Sequence, residues 1–236
     1  PGVLDAFISE RIGDVLVQAG DPAGALTEYI QALQAPRLGG DFSLEFKLAQ
    51  AYIATGDYAT AQVVYDDIYS RTASDYDKAQ AEYLKGQILL ALGQPEAAQA
   101  LFLEAVTSYP RSYYAYLSLV WLVEAGYPVD ELQRGLIDYY AGEYMLALAA
   151  FERYLAGTPT ESAAALYYKG LILREQDDLA GALAAWDSVI QLYANHYLWD
   201  EAWEEKAYTQ WAYQGDYVGG LGTLSEIFGP ALVKRD

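Results

Sequence analysis

Histidine occurs once in these 236 residues, at His196, and cysteine not at all. Those two counts remove much of side-chain chemistry. Without thiols there is no disulfide, no thiolate nucleophile and no cysteine-held zinc or iron–sulfur site. A single imidazole cannot build a multi-histidine metal site. Beside Asn195 it reads as a turn residue rather than the base of a Ser/His/Asp triad. Carboxylates remain, at Asp66-Asp67, Asp177-Asp178 and Glu204-Glu205, with Glu161 beside Ser162. Paired carboxylates can do acid–base work or hold Ca²⁺. In turns and on exposed helix faces they instead cap helix starts and stay solvated. Gly219–Gly222 is a poor match to a phosphate loop, because no strand precedes it. No convergent polar set can be assembled, so the expectation is no enzyme, no cofactor and no metal.

Binding chemistry is better represented. There are 23 tyrosines against 6 phenylalanines. Many must fill aromatic core positions. Others fall on a helix stripe beside the core stripe, at spacings of three and four. Phe46, Gln50, Tyr83, Gln87, Tyr139, Tyr140, Tyr167 and Arg174 lie on it, and they form the candidate ligand groove. Exposed tyrosine offers a large stiff contact with a polar tip, which suits a peptide or a sugar. A basic residue precedes a glycine at Lys85, Arg134 and Lys169. Each reads as a stem packed along its helix with the head in water, or as part of a grip on an acidic group. The net charge of −19 argues against nucleic acid and anionic lipid as partners. It reads either as a solvated surface or as an acidic groove for a basic partner. No run of about 18 apolar residues is present, so no membrane span is expected.

The elements that position these residues recur. Six times, roughly every 34–38 residues, one helical pattern is followed by a short turn and a second helical pattern. The turns are Asp21-Pro22, Gly56-Asp57-Tyr58, Gly93-Gln94-Pro95, Gly142-Glu143-Tyr144, Asp177-Asp178-Leu179 and Gly215-Asp216-Tyr217. In the second pattern an alanine is followed four residues later by an aromatic, as at Ala61 and Tyr65, Ala98 and Phe102, or Ala147 and Phe151. Small residues such as Gly86, Gly135 and Gly170 let two helix backbones approach, and the aromatic fills the space above the contact. The period predicts an all-α solenoid of stacked hairpins in a single domain over 1–236. The units cover about 6–36, 42–75, 79–111, 128–160, 163–195 and 201–230, with an extra apolar helix at 112–126. The sixth unit is expected to carry Trp211, Leu224 and Ile227 inward. Its Gly219–Gly222 run weakens the helix by roughly 1 kcal/mol per glycine. Arg37 to Asp41 reads as a linker. The start at Pro1 and the close at Val-Lys-Arg-Asp read as the ends of an excised or mature segment.

These residues resemble the tetratricopeptide repeat family, most clearly over Ala49–Tyr65, Gly86–Pro110 and Gly135–Pro159. The resemblance implies a right-handed superhelix whose first helices line a concave groove. A narrower resemblance runs from Tyr109-Pro110-Arg111-Ser112-Tyr113-Tyr114 to Gly135–Tyr144. It is similar to the non-catalytic helical region of bacterial soluble lytic murein transglycosylases. Their catalytic Glu-Ser pair precedes a Gly-Leu-Met-Gln type segment, whereas here Glu161-Ser162 is followed by Ala163-Ala164-Ala165. The resemblance implies a binding scaffold of the bacterial cell envelope, periplasmic or extracellular. Its partner would be a protein, a peptide or a peptidoglycan glycan strand. The alternative is an independent cytoplasmic adaptor that joins proteins.

Overall fold

A computed structural model describes residues 2–36, 40–157 and 159–229, apart from the side chain of Phe228. Most of the expected linker at 37–41, Pro230 and the closing Val-Lys-Arg-Asp lie outside the described residues. The described residues form thirteen α-helices and one π-helical turn, with no strand among them. They divide into two compact units, Pro1–Pro128 and Val129–Asp236. The first holds the hairpins α1 (Val3–Gln18)/α2 (Pro22–Gln34), α3 (Ser43–Ala54)/α4 (Tyr58–Arg71) and α5 (Asp75–Ala91)/α6 (Pro95–Ser108). The single helix α7 (Tyr113–Glu124) follows them. The second holds α8 (Glu131–Tyr140)/α9 (Tyr144–Ala156), α10 (Ala163–Glu175)/α11 (Leu179–Leu192) and α12 (Trp199–Tyr208)/α13 (Tyr217–Phe228). These are the six hairpins and the extra helix that the repeat predicts.

One close contact builds five of the six hairpins. A small residue of the first helix faces an aromatic sixteen positions later, in Gly13–Tyr29, Ala49–Tyr65, Gly86–Phe102, Gly135–Phe151 and Gly170–Trp186. A methyl group on Gly86 would stand 2.3 Å from the Phe102 ring, and one on Gly170 2.5 Å from the Trp186 indole. All five aromatics are buried. The helix–turn–helix path is fixed by capping at both sides of the turn. Asp21, Asp57, Asp178 and Asp216 each accept the N–H three residues on, a cap that contributes about 1 kcal/mol.

The preceding turn residue has positive φ in every hairpin. It is glycine at 20, 56, 93, 142 and 215, and Asp177, φ +63°, in the fifth. Two backbone bonds close that turn too, Asp177 N–H to Arg174 O and Asp178 N–H to Leu173 O. A Cβ in this region is strained. Asp177→Gly is therefore expected to raise stability by about 0.5–1 kcal/mol, read as an increase in the urea midpoint with unchanged slope.

The sixth hairpin departs from this pattern. Twelve residues separate the small residue from the first buried alanine of the second helix in the other hairpins, as in Gly170 and Ala182. Here thirteen separate Ala207 from Gly220, whose Cβ position lies 3.1 Å from Ala207 O. The added residue is taken up in the π-helical turn Thr209–Tyr213. That widened turn rotates Trp211 outward. It is 44% exposed rather than inward as the sequence pattern predicts.

Successive hairpins are joined by an ion pair in the same register. The residue before the small position meets the ninth residue of the preceding second helix, in Lys85–Asp66, Lys169–Glu152 and Lys206–Asp187. Lys85 and Lys169 thus reach across to the neighbouring helix. Arg134 has the same register, but the helix before it is α7, whose ninth residue is Trp121. It lies 3.8 Å from Asp138 of its own helix.

Candidate functional site

The principal concavity lies in the first unit, a groove of about 790 Å³ bordered by α1, α3 and α5. Helical spacing places Phe46, Gln50 and Ala54 along one stripe of α3. Phe46 is buried against the Tyr65 ring, with centroids 5.9 Å apart, and presents only an edge to the groove. Gln50, one turn on, is exposed. Across from them α5 contributes Tyr76, Asp77 and Gln80. Tyr76 is half exposed, its ring edge-on to Tyr114 at 5.3 Å.

Among the described residues that line the groove one is a lysine, and its charge is already met. Lys47 Nζ lies 2.8 Å from both Glu10 and Asp14, and the Tyr29 hydroxyl donates to Asp14 at 3.0 Å. Desolvation works to raise the Asp14 pKa, but the bonds from Lys47 and Tyr29 outweigh it and hold the carboxyl below its usual range. Desolvation likewise opposes the charge on Lys47, and its two carboxylates raise its pKa instead. The pair thus stays ionised at neutral pH. Asp41 accepts from the Ser43 hydroxyl and Asp77 from the Thr72 hydroxyl. Both carboxylates line the groove. Among the described residues that line the groove, Asp14, Asp41 and Asp77 outnumber Lys47, which favours a cation.

Tyr83 and Gln87 lie further along α5 and do not line this groove. The half-buried Tyr83 ring packs between Phe102 and Tyr114, both at 5.7 Å. Burial, followed by the neighbouring tyrosines, pushes the Tyr114 hydroxyl up to about 12.

The other named residues lie in the second unit. Tyr139 and Tyr140 are joined to Tyr168 as an edge-to-face cluster, with Tyr139–Tyr168 centroids 4.9 Å apart. The Tyr140 and Tyr168 hydroxyls are 2.5 Å apart. Tyr167 is buried, with its carbonyl receiving the Trp186 indole N–H at 3.2 Å. Arg174 forms an ion pair with Glu205. Its guanidinium lies 5.3–5.4 Å from the ring centres of Trp186, Tyr208 and Tyr213. Those contacts bury its side chain to 10% exposure. The structure thus joins Phe46 to Gln50 in one groove and Tyr139 to Tyr140 in a separate cluster. Tyr167 and Arg174 are in the packing between helices.

Tyr76 and Gln80 are groove residues outside the predicted stripe. Extending the Tyr83–Gln87 spacing back along α5 reaches both, at steps of three and four. Tyr213 gave no such signal, because the π turn Thr209–Tyr213 breaks the helical period there. His196 stands in the turn after α11, where its Nδ1 accepts the Leu198 N–H at 3.2 Å. Among the described residues no cluster of three or more His, Asp or Glu side chains could hold a metal ion. Among them, no helix is long and apolar enough to cross a membrane.

Hairpins of this construction, with a small residue under an aromatic and a turn of positive φ, define a helical repeat protein. The family model described as "Tetratricopeptide repeat" matches residues 10–75, 46–113, 83–125 and 132–197. The chain belongs to the tetratricopeptide repeat family. No curated protein matches it. Among solved structures, it is similar to the TPR2AB domain of yeast Sti1 in complex with pHSP90. There the identity is 18% over 93% of this chain and 88% of that one, with a TM-score of 0.41. MamA from Desulfovibrio magneticus RS-1 is 16% identical over 98% of each chain, at a TM-score of 0.33. The P58(IPK) TPR domain is 18% identical over 98% of this chain and 62% of that one, at 0.40. At these scores the family assignment rests on the sequence match alone.

Proposed function

We propose that this chain is a non-catalytic adaptor that binds a partner protein, holding a basic peptide segment in the groove of the first unit. The observation that carries the reading is the groove's charge. Its lysine is locked between Glu10 and Asp14, and its described lining carries three carboxylates, Asp14, Asp41 and Asp77, beside the rings of Phe42 and Phe46. A Lys- or Arg-bearing segment would meet those carboxylates and lay an apolar side chain on Phe42 and Phe46. The net charge of −19 would speed the encounter and make it salt-sensitive.

The test is calorimetry with an unstructured peptide carrying alternating Lys and Leu, against the same peptide with Glu for Lys. Binding of the basic peptide alone is expected. Tyr76→Ala with Asp77→Asn should weaken it by about tenfold or more. Equal binding of the acidic peptide would reject the reading. The finer reading, a helical region of a murein transglycosylase holding glycan strands, rests on the sequence resemblance over 109–144. None of the similar proteins named above is a transglycosylase. The tyrosines it would use, Tyr139 and Tyr140, pack on one another and on Tyr168. The adaptor is therefore the reading adopted.

A further inference from the structure

We propose that copies of this chain associate head to tail, with α13 of one copy packing on the outward face of α1 of the next. Two exposed faces carry the inference, and it does not depend on the groove. Along α1, Ile8, Ile12 and Val15 form an apolar stripe at helical spacing, all of them exposed, Val15 to 63%. Counted from the small residue of each first helix, these are the positions of Leu44, Leu48 and Ala51 in α3, all buried. In α10 the outer two are Ala165 and Ile172, both fully buried. What covers them is the second helix of the preceding hairpin. Leu44, Leu48 and Ala51 share a cluster with Ala25, Tyr29 and Ala32 of α2. Ala165 and Ile172 share one with Ala147 and Phe151 of α9. The stripe on α1 therefore has the form of a seat for a second helix.

A second helix with an uncovered face is present at the other end. Leu221 of α13 is 61% exposed. Counted from the capping residue, it corresponds to Leu26, Leu148 and Leu183, each partly buried in the cluster shared with the next first helix. The proposed contact thus continues the interface that already joins α2 to α3, α9 to α10 and α11 to α12. Two ends of different shape make a heterologous contact, which adds copies in series rather than stopping at a symmetric dimer. The charge of −19 per copy opposes it, so salt should strengthen assembly by screening.

The experiment is sedimentation velocity of the full chain over a range of concentrations, at low and high salt. Masses above the monomer are expected, growing with concentration and with salt. Ile12→Glu removes the seat and Leu221→Glu removes the helix that fills it. Each variant alone should be monomeric, whereas an equimolar mixture should form a dimer that does not extend. Both side chains are exposed, so the circular dichroism should be unchanged. Val15→Lys and Leu221→Lys repeat the test if either variant loses helicity. A chain that stays monomeric throughout overturns the proposal, whether another protein or another segment covers α1. Loss of assembly in Ile12→Glu with none in Leu221→Glu also overturns it, since that result means α1 pairs with α1.

Discussion

Trp186→Ala is expected to destabilise the second unit by about 3–5 kcal/mol, the range for removing a large buried aromatic. Trp186 is fully buried and is the largest such side chain among the described residues. Its ring fills the gap above Gly170, where even a methyl group would stand 2.5 Å away. Two polar consequences add to the cavity. The Tyr167 carbonyl loses the indole N–H, and the Arg174 guanidinium loses one of the three rings around it. That carbonyl keeps its own helix bond within α10, so the lost indole bond adds only about 1 kcal/mol. Trp186→Phe keeps a ring and should lose less, chiefly the hydrogen bond and part of the packing. Urea unfolding followed by circular dichroism measures the difference. A loss below about 1 kcal/mol for the alanine variant would mean that the close helix contact is not what holds the hairpin.

The same contact explains why the architecture was legible in the chain. Gly86 with Phe102 and Gly135 with Phe151 need a residue without a side chain opposite a ring, and few residue types satisfy that demand. The turn glycines are equally restricted, because positive φ excludes most side chains. Such constraints act locally and leave a periodic trace, so helices and hairpins could be placed before any coordinates. The groove was less legible. A helix stripe gives direction but not the height of its neighbours. Phe46 and Gln50 are four residues apart on one stripe, yet one is buried by Tyr65 and the other is exposed. Arg174 reads as a groove cation until the π turn brings Tyr208 and Tyr213 over it, and that turn arises from a single extra residue with no composition of its own. Lys47 and its two carboxylates come from α3 and α1, a pairing that no local pattern announces.

Glu82→Gln is expected to remove most of a pH dependence that the fold builds into the first unit. Glu82 is buried on α5, and its Oε2 accepts no hydrogen bond. Burial, reinforced by the nearby Glu104, pushes its carboxyl up from an ordinary 4.5 to about 7, while Lys85, Tyr69 and Lys78 pull the other way without prevailing. The Tyr69 and Tyr109 hydroxyls, 2.9 Å apart, bond to one another. The folded chain therefore keeps the Glu82 proton up to about pH 7, whereas the unfolded chain releases it near 4.5. More protons bound in the folded state means that stability falls as pH rises. The contribution is complete below about 4.5 and lost as pH passes through 7. At 1.36 kcal/mol per pKa unit, the step amounts to on the order of 2–3 kcal/mol. Glutamine has the shape of the protonated acid and no charge to bury, so it should match the parent chain at pH 5 and exceed it at pH 8. Asp138 of the second unit is pushed to about 6, mainly by burial, with Arg134 opposing. It acts in the same direction in both proteins and cancels in the comparison. Urea midpoints at the two pH values decide the matter. A glutamine variant that is weaker at pH 8 would show that Glu82 is ionised in the fold and held by Lys85 or Lys78, so that its charge supports α5 instead of straining it.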